Sequence, residues 1–142
     1  MYRLTLAQAN AMIDAALARA AELALKPMTV TVHDPGANLI ACQRQDGTGN
    51  FPVKIAAGKV NGALGIGLSS RKLSEFVEAR PTMLVGLNQM AEGPVVAAAG
   101  AVIVCDQQGV VVGAIGVTGD TPDNDEACAL AGIEAVGLKP KG

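Results

Sequence analysis

The chain is nearly devoid of aromatic residues. Tyr2, Phe51 and Phe76 are the only three among 142 residues. Recognition of single strands by base stacking needs aromatic platforms, so this argues against an RRM-type sheet or an aromatic OB-fold surface. Excess positive charge is also missing. Eleven Lys and Arg face thirteen Asp and Glu, which leaves no general electrostatic footprint for DNA or RNA. Histidine occurs once, as His33, so a multi-histidine metal site within one chain is excluded. Cys42, Cys105 and Cys128 form no CxxC pair, and an odd count cannot be fully bridged within one chain. A reducing, cytoplasmic setting is expected. No apolar stretch approaches the roughly 20 residues of a membrane span. The start, Met1-Tyr2-Arg3-Leu4-Thr5-Leu6, lacks the apolar segment of a signal peptide.

What is present is a hydrophobic chain rich in alanine and glycine, long enough to bury one core without disulfides or metals. A single domain over residues 1–142 is expected. Thr5 reads as a helix cap, and Leu6, Ala9, Ile13, Ala16, Leu17, Ala20 and Ala24 recur at helical spacing, predicting a helix over 6–24. Met28 to Val32 alternates with β-branched residues, Asp34 to Asn38 supplies a turn, and Leu39 to Arg44 resumes the strand, giving a hairpin. Pro52 suits the first turn of a second helix. Gly58, Gly62 and Gly65 lie along it, each costing about 1 kcal/mol against alanine. Close approach of a backbone or a ligand would offset that cost.

A short helix capped by Ser69 or Ser70 reaches Val77, and Arg80-Pro81 breaks it. Residues 82–90 carry Leu84, Leu87 and Met90 at helical spacing but read ambiguously. Val95–Cys105 and Gly109–Val117 form a second β-rich pair. Thr121-Pro122 with acids behind it starts a last helix to Val136, which Gly137 ends. The tail from Lys139 to Gly142 reads as loose. Two hairpins among helices predict an α+β fold with an antiparallel sheet.

Several residues could carry chemistry. His33, at a strand end beside Asp34, is the natural proton shuttle or metal ligand, although a hydrogen-bonded structural histidine is the plainer reading. Arg44 and Asp46 lie two apart at a strand end, where arginine could clamp a carboxylate and aspartate could orient it. An exposed pair of little energetic weight is the alternative. Lys59, between Gly58 and Gly62, could meet an anionic ligand or act as an amine nucleophile, or simply be a solvated lysine. The stretch Gly113 to Pro122 runs a glycine-rich strand into a helix start, where Thr118 and Gly119 could present donors to an anion. Asp120, Asp123, Asp125 and Glu126 crowd that start. They could complement the helix dipole, hold a hard cation, or include an acid/base in Asp125.

The chain resembles the GlcG/HbpS family, also called the haem-degrading-domain family, over nearly its whole length. The resemblance rests on Val32-His33-Asp34-Pro35-Gly36-Ala37-Asn38-Leu39, on Arg44-Gln45-Asp46-Gly47, on Lys59 in the following helix, and on Val112 to Gly119 followed by Asp123-Asn124-Asp125-Glu126. It implies a profilin-like α+β fold with a central antiparallel sheet, homo-oligomers, and a small anionic ligand such as haem or another tetrapyrrole. On that reading Arg44 and Lys59 meet carboxylates, Thr118 and Gly119 supply donors, and His33 is the one imidazole available to iron. The alternative is a small catabolic isomerase, lyase or hydrolase acting on a carboxylated intermediate, with His33 or Asp125 as general acid/base. A third reading is an accessory subunit with no ligand. The low charge content, 17% of residues, independently favours apolar surface covered by neighbouring copies.

Overall fold

Thr5 opens the first helix through a capping box: its hydroxyl accepts from the Gln8 N–H at 3.1 Å, and Gln8 Oε1 accepts from the Thr5 N–H at 2.9 Å. The computed structural model describes residues 2–141; Met1 and Gly142 lie outside the described residues. Helix α1 spans Leu6–Glu22, and strands β1 (Thr29–His33) and β2 (Leu39–Arg44) form the first hairpin. Its turn is built by Asp34, whose Oδ1 accepts from the backbone N–H of Gly36 and of Asn38, both at 2.9 Å. Helix α2 covers Pro52–Ile66, with Pro52 in its first turn as expected, and α3 covers Ser70–Ala79. Strands β3 (Ala101–Cys105) and β4 (Val111–Thr118) form the second hairpin, and α5 runs Pro122–Ala135 with Thr121 as its cap.

Three segments differ from the sequence reading. Residues Pro81–Met90 are a helix, α4, which begins directly after Arg80 because proline is well placed in a first turn. The expected strand from Val95 begins only at Ala101. The Asn88 side chain bonds both the N–H and the carbonyl of Val95, and the Val96 N–H donates to Gly58 O of α2, so this backbone is already engaged outside the sheet. The tail is not loose as far as Lys141. Lys139–Pro140 forms a two-residue strand, β5, on the β3 edge, and the Lys141 N–H donates to Ile103 O at 2.9 Å.

The sheet is wholly antiparallel in the order β2-β1-β4-β3-β5, which makes the fold α+β. Alternation along the strands creates two faces. Val30, Val32, Val102, Val104, Ile115 and Val117 join α1 and α5 in the larger core. Ala101, Ile103 and Ala114 face α2, packing on Val60 and Ala63. The α3–α4 pair forms a further layer outside α2 through Leu73, Val77, Leu87 and Val95. Helix α2 is therefore covered on two sides, and Gly58 and Gly62 permit it. A Cβ at Gly58 would lie 2.8 Å from Val96 Cγ2, and one at Gly62 would lie 2.7 Å from both Leu73 and Val95 methyls. No helix of the described residues is long and apolar enough to cross a membrane.

Candidate functional site

Lys59 and Asp125 meet at the end of the sheet. Lys59 projects from α2 on one face and Asp125 from the start of α5 on the other. Lys59 Nζ donates to Asp125 Oδ2 at 3.1 Å and to Val117 O at 3.0 Å, and the two side chains are 3% and 2% exposed. Asp125 Oδ1 accepts from the Asp120 N–H at 2.9 Å. Gly100 opens the passage, since a Cβ there would lie 2.8 Å from Lys59 Nζ and 2.4 Å from Val117 O. Burial pushes the Lys59 ammonium below its ordinary value and the Asp125 carboxyl above its own, so desolvation outweighs their mutual attraction in both.

His33 lies at the opposite end of β1 and is 3% exposed. Its Nδ1 lies 3.2 Å from Ala37 O and its Nε2 2.9 Å from Thr31 Oγ1. A carbonyl only accepts, so Nδ1 carries the ring proton and Nε2 accepts from the Thr31 hydroxyl. Burial lowers the His33 pKa and keeps the ring neutral. The ring borders a cavity of about 240 Å³ lined also by Lys54, Gly58, Asn61, Glu92 and Pro94. His33 and Asp125 do not share a hydrogen bond or a cavity.

Arg44, Thr29 and Thr118 form a row across the sheet. Thr29 pairs with Arg44 on one side and with Thr118 on the other, so all three share a face. That face is the one α2 covers, because Thr31, two residues along from Thr29, lies beside Gly116 and beneath Ala56 and Val60. The Thr29 hydroxyl is buried without a hydrogen-bond partner among the described residues, which costs about 1–3 kcal/mol for a polar group cut off from water. Arg44 is exposed and, like Asp46, has no ion-pair partner among the described residues. Both border an open groove of about 500 Å³ with Leu25, Pro27 and Gln45. The groove unites Arg44 and Asp46 without bringing them into contact.

Gly119 serves the chain's own packing. Its φ is +149°, and a Cβ there would lie 2.4 Å from Pro27 O. The carboxylates around α5 are likewise engaged. Glu126 accepts from Arg71 Nε at 3.0 Å, and Asp123 pairs with Arg71 Nη2. Asp120 accepts from Asn124 Nδ2 at 2.8 Å, from the Thr121 N–H at 2.9 Å and from the Lys26 N–H at 3.2 Å. No group of three His, Cys, Asp or Glu among the described residues converges to hold a metal ion. Sequence reasoning missed Thr29, whose pairing partners follow only from strand register. It also missed Arg71, which meets the acids of α5 across more than fifty residues of chain and has no local signal.

A five-stranded antiparallel sheet with helices on both faces, an unpaired arginine at a groove and a buried lysine–aspartate pair together define a small α+β domain. The chain belongs to the family of HbpS-like haem degrading proteins, whose family model matches residues 4–134. No curated protein matches it significantly. Among solved structures, PduOC in its haem complex superposes with a TM-score of 0.85 at 23% identity, covering 99% of each chain. The Klebsiella pneumoniae protein ORFY gives 0.85 at 23% identity, covering 96% of this chain and 92% of that one. A double mutant of Streptomyces reticuli HbpS gives 0.80 at 27% identity, covering 94% and 87%.

Proposed function

We propose that this chain binds a small anionic ligand at the Arg44 groove, with haem or another tetrapyrrole as the first candidate, and that it works as a homo-oligomer in the cytoplasm. The observation that carries the reading is an exposed, unpaired guanidinium at the rim of a groove with apolar walls at Leu25 and Pro27. Arginine suits a carboxylate because its fork of donors matches two oxygens at once. Family membership and the haem complex of PduOC support the choice of haem. Three free cysteines suit a reducing compartment. Exposed Phe51, Val85 and Met90 suit association between copies.

The residues fit one part of haem and not the other. Arg44 fits a propionate, whereas Asp46 makes no contact with the guanidinium. His33 does not fit the iron, because both ring nitrogens are hydrogen bonded within the hairpin and the ring lies outside the Arg44 groove. Lys59 is engaged by Asp125, so the carboxylate falls to Arg44.

An absorbance titration with haemin tests the reading, with Arg44→Ala and His33→Gln run in parallel. A saturable Soret shift is expected in the parent protein. Loss of a charge-assisted bond predicts binding weakened about tenfold or more in Arg44→Ala, with His33→Gln unchanged. Absence of a saturable shift in the parent removes haem. Equal binding in Arg44→Ala removes the groove as its site.

A further inference from the structure

The cavity of about 240 Å³ beside His33 shares no lining residue with the Arg44 groove. One wall is helix α2, where Lys54, Gly58 and Asn61 recur at i, i+4 and i+7 and so lie on one face. The facing wall is the segment that follows α4. Asn61 Nδ2 donates to Gly93 O at 3.2 Å and to Pro94 O at 3.3 Å, and the Val96 N–H donates to Gly58 O at 3.1 Å. A Cβ at Gly58 would lie 3.1 Å from Pro94 O, so the glycine lets this segment lie close against the helix. The third wall is the first hairpin. Ala37 holds a left-handed φ of +65°, which costs a residue with a side chain about 1–2 kcal/mol. Its carbonyl accepts the His33 Nδ1 proton, and with both nitrogens bonded the ring is a fixed, uncharged face.

Two charges stand at the ends of this cavity. Lys54 is in the first turn of α2, where the helix dipole disfavours a cation and no acidic residue offsets it. Glu92 stands at the other end, next to Gly93 and so to Asn61. Both are exposed, and neither has an ion-pair partner among the described residues. Lys54 and Asn61 are about 10 Å apart along the helix axis, so the two charges enter the cavity from opposite ends. Asn61 gives its amide protons to two carbonyls, which fixes its orientation and leaves Oδ1 as a free acceptor at the Glu92 end.

We propose that this cavity is a second binding site, for a linear ω-amino acid whose carboxylate meets Lys54 and whose ammonium meets Glu92 and Asn61 Oδ1. A simple anion would leave Glu92 unmatched, and a simple cation would leave Lys54 unmatched. An α-amino acid carries both charges on one carbon and does not reach both ends at once. Ala37, Ala57 and Pro94 give a methylene chain apolar contact between the two charges. The volume suits a chain of a few carbons and not a macrocycle, so this ligand is distinct from the tetrapyrrole of the Arg44 groove.

His33 is the only histidine, so its ring signals in a proton–carbon NMR spectrum report on this cavity without any added label site. The test titrates δ-aminovalerate into the full chain above neutral pH at constant ionic strength, with valerate and pentylamine as separate arms. A saturable movement of the His33 signals is expected with δ-aminovalerate, and either single-charge arm is expected to bind about fivefold more weakly. Lys54→Met and Glu92→Gln change exposed residues, and each is expected to weaken δ-aminovalerate by about the same factor. Exchange of the two charges, Lys54→Glu with Glu92→Lys, is expected to recover most of that loss with the ligand reversed. No saturable movement in the parent overturns the proposal. Valerate binding as tightly as δ-aminovalerate, with Glu92→Gln unchanged, overturns the two-ended ligand. An exchange no better than the single variants overturns the matching of one ligand end to each charge. Arg44 takes no part in this titration, so its outcome is separate from that of haemin.

Discussion

His33 shows what one buried side chain can contribute to a pH response. Its burial lowers the pKa below the ordinary imidazole value, so the unfolded chain binds a proton more readily than the folded one. Stability therefore rises with pH across the interval between the folded and unfolded pKa values. The His33 contribution is complete above the unfolded value and is lost as pH falls through the lowered one. Urea midpoints measured from pH 8 down to pH 5 should fall at the acidic end, and the fall should be shallower in His33→Gln. An identical slope in that variant would assign the acid sensitivity to other groups. The sequence marked His33 and Asp34 correctly as a strand end and a turn, because histidine beside Asp-Pro-Gly has local meaning. It could not show that Ala37 O and the Thr31 hydroxyl occupy both ring nitrogens, since those bonds need the hairpin's register. The same holds for Lys59 and Asp125. Each was a candidate, and their pairing over 66 residues of chain is a tertiary fact.

Helices α1 and α5 are legible because the Thr5 and Thr121 caps agree with apolar spacing. Helix α2 is legible through Pro52 in its first turn, and α3 through spacing alone, since Ser69 makes no side-chain cap and the Ser70 hydroxyl bonds Ala101 instead. Both hairpins follow from alternation around turn residues. Helix α4 was obscure because its exposed face is as uncharged as its buried one. The stretch from Val95 to Gly100 was misread as a strand because it is apolar, while its backbone partners are Asn88 and Gly58. The glycines of α2 sharpen this point. The sequence assigned Gly58, Gly62 and Gly65 one common explanation, and the structure divides them. Gly62 faces Leu73 and Val95 at 2.7 Å, whereas Gly65 faces open space. Gly65→Ala should stabilise the chain by about 0.5–1 kcal/mol through helix propensity alone. Gly62→Ala should destabilise it by about 1–3 kcal/mol, because overpacking outweighs the same propensity gain. Urea midpoints at one fixed protein concentration read both, and opposite signs are the required result.

At the scale of the molecule, the sheet separates two cores, and most contacts keep to one side. The Lys59–Asp125 pair joins the sides, running from α2 past Gly100 to the start of α5. Both pKa directions say that burial costs these charges more than their attraction returns, so net stability is a poor account of the pair. Its consequence is positional. The ammonium also holds Val117 O, and the carboxylate also holds the Asp120 N–H, so the end of β4, α2 and the α5 start are fixed relative to one another. Removing one partner strands the other as a buried charge. Lys59→Met alone should therefore cost about 3–5 kcal/mol. Asp125→Asn alone should cost less than that, since its amide oxygen can still accept the Asp120 N–H. The double variant carries no stranded charge, so its loss should fall well short of the sum of the two single losses. A double-mutant cycle on urea unfolding measures this coupling. Additive losses would show that the two charges act independently and that something other than this pair aligns the two faces of the sheet.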